Sequence, residues 1–285
     1  MHTTLISTDE LARELADPAL VLVDCRHNLS DVNAGERAYL ISHLPGARFM
    51  HMDRDLSGER TGTNGRHPLP DAAALSAALS RIGIDASKQV VAYDQNNGMW
   101  ASRLWWLLHW LGHEAAAVLD GGIDKWIAEG RPTTADIPRV RPARFVAMTP
   151  GPVASSAEIA QHLSDQATAP LTIVDARAPE RFRGDIEPLD PVAGHIPGAI
   201  NRPYGANLTS RGTFKPAELL RSEFEAQLGA APLSSVVHQC GSGVTACHNV
   251  LAMEIAGLHG AALYPGSWSE WSADPGRPVA TGPNP

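Results

Sequence analysis

Cys240 stands in the segment Ser235-Val236-Val237-His238-Gln239-Cys240-Gly241-Ser242-Gly243-Val244-Thr245, where a β-branched run gives way to glycines and then to helix-forming residues. The pattern predicts a buried strand ending at Cys240, a short loop, and a helix starting near Val244 or Thr245. Such a turn gathers backbone N–H groups and a helix N-terminus around one point, an arrangement that favours negative charge there and suits a thiolate nucleophile. Gly241 and Gly243 are expected to allow unusual backbone angles and to leave room for a substrate to approach the sulfur. The alternative is that Cys240 is a small apolar residue packed at a strand end, as most free cysteines are. Cys247, inside the apolar helix, and Cys25, after a buried strand, read as packed core thiols. The three cysteines show no CxxC or Cys/His ligand spacing, which argues against a disulfide scaffold or a structural zinc site.

The elements that must hold Cys240 occur twice. Leu20-Val21-Leu22-Val23-Asp24-Cys25-Arg26 is echoed by Leu171-Thr172-Ile173-Val174-Asp175-Ala176-Arg177, and His43-Leu44-Pro45-Gly46-Ala47 by His195-Ile196-Pro197-Gly198-Ala199. Val90 to Asp94 lines up with Val236 to Cys240, so Asp94 takes the place of the cysteine in the first copy. Gly112 to Trp126 and Gly257 to Trp271 share one 14-residue spacing. Four landmarks in one order define two homologous halves. The stretch between them, Arg131 to Ser156, carries five prolines and reads as a linker. The expected organisation is an N-terminal domain over 1–138, a linker over 139–152 and a C-terminal domain over 153–285. Strands at Leu20–Val23, Val90–Tyr93, Leu171–Val174 and Ser235–His238 alternate with helical patterns over Asp71–Arg81, Ala101–Leu111 and Ala246–Ala256. The fold class is therefore α/β, with each half a mainly parallel sheet covered by helices on both faces.

Composition excludes several functions. The chain has 285 residues, 44% hydrophobic and 19% charged, with a formal charge of -8, and its 23 basic against 31 acidic residues supply no cluster for phosphate neutralisation. No apolar stretch approaches the ~20 residues that span a bilayer, and the N-terminus has no basic segment followed by an apolar one. A cytoplasmic protein without nucleic-acid or membrane partners is expected. No GxGxxG, GxxxxGK[ST] or HExxH string occurs, so no nucleotide, organic cofactor or metal is expected.

The string Cys240-Gly241-Ser242-Gly243-Val244-Thr245-Ala246, the paired DxR and HxPGA elements, and Pro265-Gly266-Ser267-Trp268-Ser269-Glu270-Trp271 together resemble tandem-domain rhodanese-type sulfurtransferases, most of all the 3-mercaptopyruvate branch. The resemblance covers essentially the whole chain. It implies a catalytically silent N-terminal domain, a catalytic C-terminal domain, and a sulfur atom carried as a covalent persulfide on Cys240 with no other cofactor. The donor would be a small molecule and the acceptor a thiol, such as thioredoxin or a small dithiol, or cyanide. Thiosulfate enzymes of this architecture carry two cations after the cysteine, whereas Gly241 and Ser242 leave this loop neutral, which suits a donor with one carboxylate.

Residue by residue, the resemblance assigns Arg181 to the donor carboxylate, through the pattern Asp175-Ala176-Arg177-Ala178-Pro179-Glu180-Arg181-Phe182. It assigns Ser242, His67 and Asp53 to a serine, histidine and aspartate group around the donor, and Gly241, Gly243, Val244 and Thr245 to the walls of the site. The 14-residue spacing from Asp53 to His67 is three longer than the family pattern. A second family arginine follows a Glu-Pro pair; here Glu187-Pro188 is followed by Leu189, which leaves Arg177 and Arg202 as candidates to compensate. Of these, Arg177 reads as a loop anchor, matched by Arg26 in the first half. Alternatives are thiosulfate as donor, a protein-to-protein persulfide relay, and a phosphatase on the related fold. The last would need a longer loop ending in arginine.

Overall fold

The computed structural model describes residues 1–148, 150–151, 153–165 and 171–285. Thr149 and Pro152 of the expected linker lie outside the described residues. The chain forms two compact units. The first comprises Met1–Gly58, Pro70–Gly151 and Ser210–Thr213, and the second Glu59–Leu69, Pro152–Thr209 and Phe214–Pro285. The segment 59–69, which the sequence places in the N-terminal half, therefore belongs with the second unit. Nothing in the local sequence marks that excursion, because it is set by long-range packing.

In the first unit, strands β1 (Leu5–Ile6), β2 (Leu20–Asp24), β3 (Arg48–Phe49), β4 (Gln89–Tyr93) and β5 (Ala116–Leu119) form an all-parallel sheet in the order β1-β5-β4-β2-β3. Helices α1 (Thr8–Glu14), α2 (Ala34–Ile41), α3 (Ala72–Arg81) and α4 (Ala101–Trp110) fill the crossovers, and α5 (Gly122–Ala128) follows the last strand. Asp71 caps α3 by accepting from the N–H groups of Ala73 and Ala74 (2.9 and 3.0 Å), as an Asp at that position should. Because both faces of a parallel sheet must be covered, the central strands are buried without alternation: Val90 to Tyr93 are all inaccessible. One face packs Ile6, Leu11, Leu22, Leu44, Val91 and Trp126 into a core.

The second unit repeats the scheme with β6 (Thr172–Asp175), β7 (Ile200–Asn201), β8 (Val236–Gln239) and β9 (Ala262–Leu263) in the parallel order β7-β6-β8-β9. Its helices are α6 (Ser156–Ser164), α7 (Pro179–Arg183), α8 (Ala217–Leu228), α9 (Thr245–Ile255) and α10 (Ser267–Trp271). Ile159, Ile173, Phe182, Val237, Trp268 and Trp271 form the core on one face. α9 is enclosed on all sides, with Ala246 to Met253 buried, the polar His248 and Asn249 among them.

The paired motifs do the same structural work in both units. Arg26 Nε donates to both oxygens of Asp24 (3.0 and 2.9 Å) and its Nη2 to Ser42 O, while Arg177 Nε donates to both oxygens of Asp175 (3.1 and 3.0 Å) and its Nη2 to Gly194 O. His43 and His195 each form a two-way backbone bridge, to Thr134 and Ala280 respectively, that ties a late segment back onto the HxPGA turn. The indoles of Trp126 and Trp271 donate to Pro132 O and Pro278 O (2.8 and 2.9 Å). Among the described residues no helix is long and apolar enough to cross a membrane.

Candidate active site

β8 ends at Gln239, and Cys240 follows as the first residue of a five-residue loop before α9. Its backbone is held on both sides: the N–H donates to Ser267 Oγ (3.1 Å), and the carbonyl accepts from Trp268 N–H (2.9 Å). Gly241 O accepts from Ser269 N–H (2.9 Å), so the loop is fastened to the first turn of α10. Ser267 adopts φ +55°, uncommon for a residue with a Cβ, and its Oγ also donates to Tyr264 O (2.8 Å). Ser242 N–H points back at Cys240 Sγ (3.5 Å).

The two glycines differ in role. Gly243 has φ +76°, and a Cβ there would lie 2.3 Å from Pro265 O, so only glycine fits. Gly241 does not take a left-handed conformation, contrary to expectation; what it gives is space, for a Cβ at 241 would lie 2.9 Å from Arg66 Nη2 and 3.4 Å from Arg181 Nη1. Val244 caps α9, its carbonyl accepting from Cys247 N–H (3.1 Å), its side chain buried, and Thr245 opens the helix half-exposed.

His67 Nδ1 lies 2.8 Å from Ser242 Oγ, both side chains buried, so the histidine and serine named by the sequence stand in direct hydrogen-bond contact one residue beyond Gly241. Arg181, on α7, flanks the same loop: its Nη2 donates to Glu187 Oε1 (2.7 Å) and to Asp190 Oδ2 (3.2 Å), and its Nε to Glu187 Oε2 (3.3 Å). Asp53 belongs to the first unit, where its N–H donates to His51 Nδ1 (3.1 Å).

The other two arginines do not compensate for Leu189. Arg177 is consumed by Asp175, Gly194 O and Glu187 and stacks over Trp268, 4.7 Å from the ring centroid. Arg202 lies over Phe224 at 3.9 Å with its donors on Asn207 and Glu223. Leu189 itself is 45% exposed. The residue that sequence reasoning missed is Arg66. Its guanidinium sits against Gly241 and its Nη1 pairs with Asp190, while its backbone N–H donates to Ser269 Oγ (3.0 Å). The available signal was its place directly before His67.

The remaining thiols are packed. Cys247 Sγ donates to Gly243 O (3.2 Å) from inside α9. Cys25 is buried beyond β2, and burial, reinforced by the nearby carboxylates of Asp24, Asp94 and Asp55, pushes its thiol well above the ordinary range.

Comparison with known proteins follows the same division. The rhodanese-like domain family matches residues 7–129 and again 155–274. The chain belongs to this family. A probable 3-mercaptopyruvate sulfurtransferase of Pseudomonas aeruginosa is 47% identical over 281 residues, covering 98% of both chains. A Mycobacterium tuberculosis protein, SseB, named provisionally as a thiosulfate sulfurtransferase, is 40% identical over 98% of this chain and 97% of its own. Among solved structures, the 3-mercaptopyruvate sulfurtransferase from Leishmania major superimposes with a TM-score of 0.83 at 31% identity, covering 95% of this chain and 74% of that one. This rhodanese-like pair is a sulfurtransferase.

Proposed function

We propose that the protein takes sulfane sulfur from 3-mercaptopyruvate onto Cys240 as a persulfide, releases pyruvate, and passes the sulfur to a thiol or to cyanide. The observation that carries this reading is the convergence, on the loop that follows Cys240, of the His67–Ser242 hydrogen bond and the Arg181 guanidinium. The guanidinium binds the donor carboxylate, which aims the donor's sulfur at Sγ. The Cys240 thiolate attacks that sulfur, the carbon–sulfur bond breaks, and its electron pair passes into pyruvate enolate. The proton lost from the donor thiol ends on the methyl carbon of pyruvate, so that thiolate and mercaptopyruvate become persulfide anion and pyruvate. Ser242, in contact with His67, is placed to move that proton and to donate to the enolate oxygen. Asp53 enters this reading from the family resemblance alone. The Ser242 N–H, aimed at Sγ, supports the outgoing persulfide. Thioredoxin or a small dithiol is the proposed acceptor class.

Thiosulfate is the second reading, favoured by the presence of two guanidiniums beside Gly241. Sulfur transfer to cyanide with the two donors in competition tests the choice. Preference for mercaptopyruvate, lost in Cys240→Ser, is expected. Preference for thiosulfate would overturn the substrate assignment, and negligible turnover with either would favour a protein-to-protein relay.

A further inference from the structure

The loop after Cys240 is neutral in sequence, yet the space around Gly241 is not. Arg66 and Arg181 arrive from separate segments and present Nη2 and Nη1 to it. Neither of these nitrogens has an acceptor among the described residues, and Arg66 Nε is buried without one. Two unanswered guanidinium nitrogens, Arg66 Nη2 and Arg181 Nη1, face one spot beside Gly241. Behind them stand the carboxylates that hold the two arginines in place: Asp190 pairs with Arg66 through one oxygen and with Arg181 through the other, and Glu187 holds Arg181. Both carboxylates are almost wholly buried. Adding the Arg177–Asp175 pair, three guanidiniums face three carboxylates, so the site as built is balanced. A balanced low-dielectric site accepts one further negative charge less readily than a cationic one, and a second charge much less readily.

We propose that Arg66 is the second donor-binding guanidinium and that Asp190, bridging it to Arg181, is the residue that selects a singly charged donor over a doubly charged one. Asp190 acts through the two arginines, fixing their unbonded faces towards Gly241 while cancelling one of their charges. Burial pushes its own acidity down and Arg66 opposes that, consistent with a carboxylate whose charge depends on its partners. Asp190 is thus a positioning and charge-setting residue, and Arg66 a binding residue that compensates for Leu189 from a different part of the chain. The proposal rests on the sulfurtransferase reading above.

The test uses the whole chain and two readouts. The first is kcat/KM with 3-mercaptopyruvate and with thiosulfate. Arg66→Gln is expected to raise KM for mercaptopyruvate at least ~10-fold with a smaller change in kcat, and Arg66→Lys to recover part of the loss. Asp190→Asn is expected to raise the thiosulfate-to-mercaptopyruvate ratio of kcat/KM by ~10-fold or more. The second readout needs no turnover: alkylation of Cys240 by iodoacetate, which carries one carboxylate, relative to iodoacetamide, which carries none. Dividing one rate by the other cancels a general change in thiol reactivity or folding. Asp190→Asn should raise this ratio and Arg66→Gln lower it. Unchanged donor and alkylation ratios in both variants, with wild type turning over mercaptopyruvate normally, would overturn the inference and leave the function intact. A wild type inactive with mercaptopyruvate, but showing the alkylation shifts, would instead remove the substrate assignment and keep the anion site.

Discussion

Asp94 and Cys240 occupy matching strand ends in the two units, and their surroundings differ in how the loop's N–H groups are answered. Asp94 is fully buried, and its carboxylate accepts from the N–H groups of Asn96 (2.7 Å), Gly98 (3.0 Å), Trp100 (2.6 Å) and Ala101 (2.8 Å). Burial pushes its pKa up while those four donors pull the other way. The first loop is thus an anion receptor whose anion is its own side chain. Cys240 supplies one sulfur in place of two oxygens and takes one N–H, from Ser242. The same architecture that is satisfied internally in the first unit is left with a single sulfur acceptor in the second, which suits the proposed role of receiving a negative charge there. The first loop differs from the second by occupancy as much as by the missing thiol.

The sharpest way to break this comparison is to exchange the two residues. Cys240→Ser is expected to cut sulfur transfer at least ~1,000-fold with every donor, and adding Asp94→Cys to that variant should restore none of it, because the first loop carries Asn96 where the second carries Ser242. Recovery of cyanide-dependent thiocyanate formation in the double variant would show that the nucleophile alone sufficed. Next in size is Asp94→Ala, which orphans four backbone donors, three of them buried, and should destabilise the first unit by at least ~3 kcal/mol, with Asp94→Asn losing less. Hydrogen exchange at the α4 amides separates this from changes in the second unit.

A third difference lies one turn of sequence earlier. His238 on β8 is fully buried with Nε2 2.9 Å from Met253 Sδ, and its counterpart on β4 is Ala92. Burial drives the His238 pKa down to about 3. Its folded value lies below its unfolded one, so above pH ~6.5 it is neutral in both states, while between ~6.5 and ~3 only the unfolded chain takes the proton. The second unit should therefore lose about 1.4 kcal/mol of stability per pH unit across that window. His238→Leu should flatten the slope in α9 amide exchange; an unchanged slope would assign the acid sensitivity elsewhere. Ser267→Gly keeps the positive φ but removes the hydroxyl from Cys240 N–H, and should lower kcat ~10-fold with little change in KM. Smallest of all, Cys247→Ser should leave activity within about twofold, since its sulfur already serves the carbonyl of Gly243 as a small buried donor.

Much of this was legible before any coordinates. Cys240 at a strand end and Arg177 as an anchor follow from the strand pattern and from the motif repeated in the other half, whereas Ser242 and His67 were singled out by the family resemblance and not by local pattern. Arg66 was not legible, since the 59–69 segment reaches Gly241 through packing that leaves no periodic trace. The neutral look of the Gly241-Ser242 loop was incomplete for the same reason: charge at a site is a sum over segments, and here two guanidiniums and two carboxylates come from outside the loop. Ser267 was hidden in a string recognised as a whole, with nothing to say that its hydroxyl, rather than the neighbouring tryptophans, meets the nucleophile's backbone.

The assignment of residues 59–69 to the second unit bears on how such a protein can change over evolutionary time. A duplicated gene whose first copy carries Asp94 where the second carries Cys240 would be free to shed that copy if the second were self-contained. Here the first copy's stretch of gene still encodes Arg66 and His67, which stand at the loop after Cys240, while residues 210–213 make the reverse loan to the first unit. Deleting the first half would remove part of the second unit, so the two copies are inherited as a single indivisible reading frame.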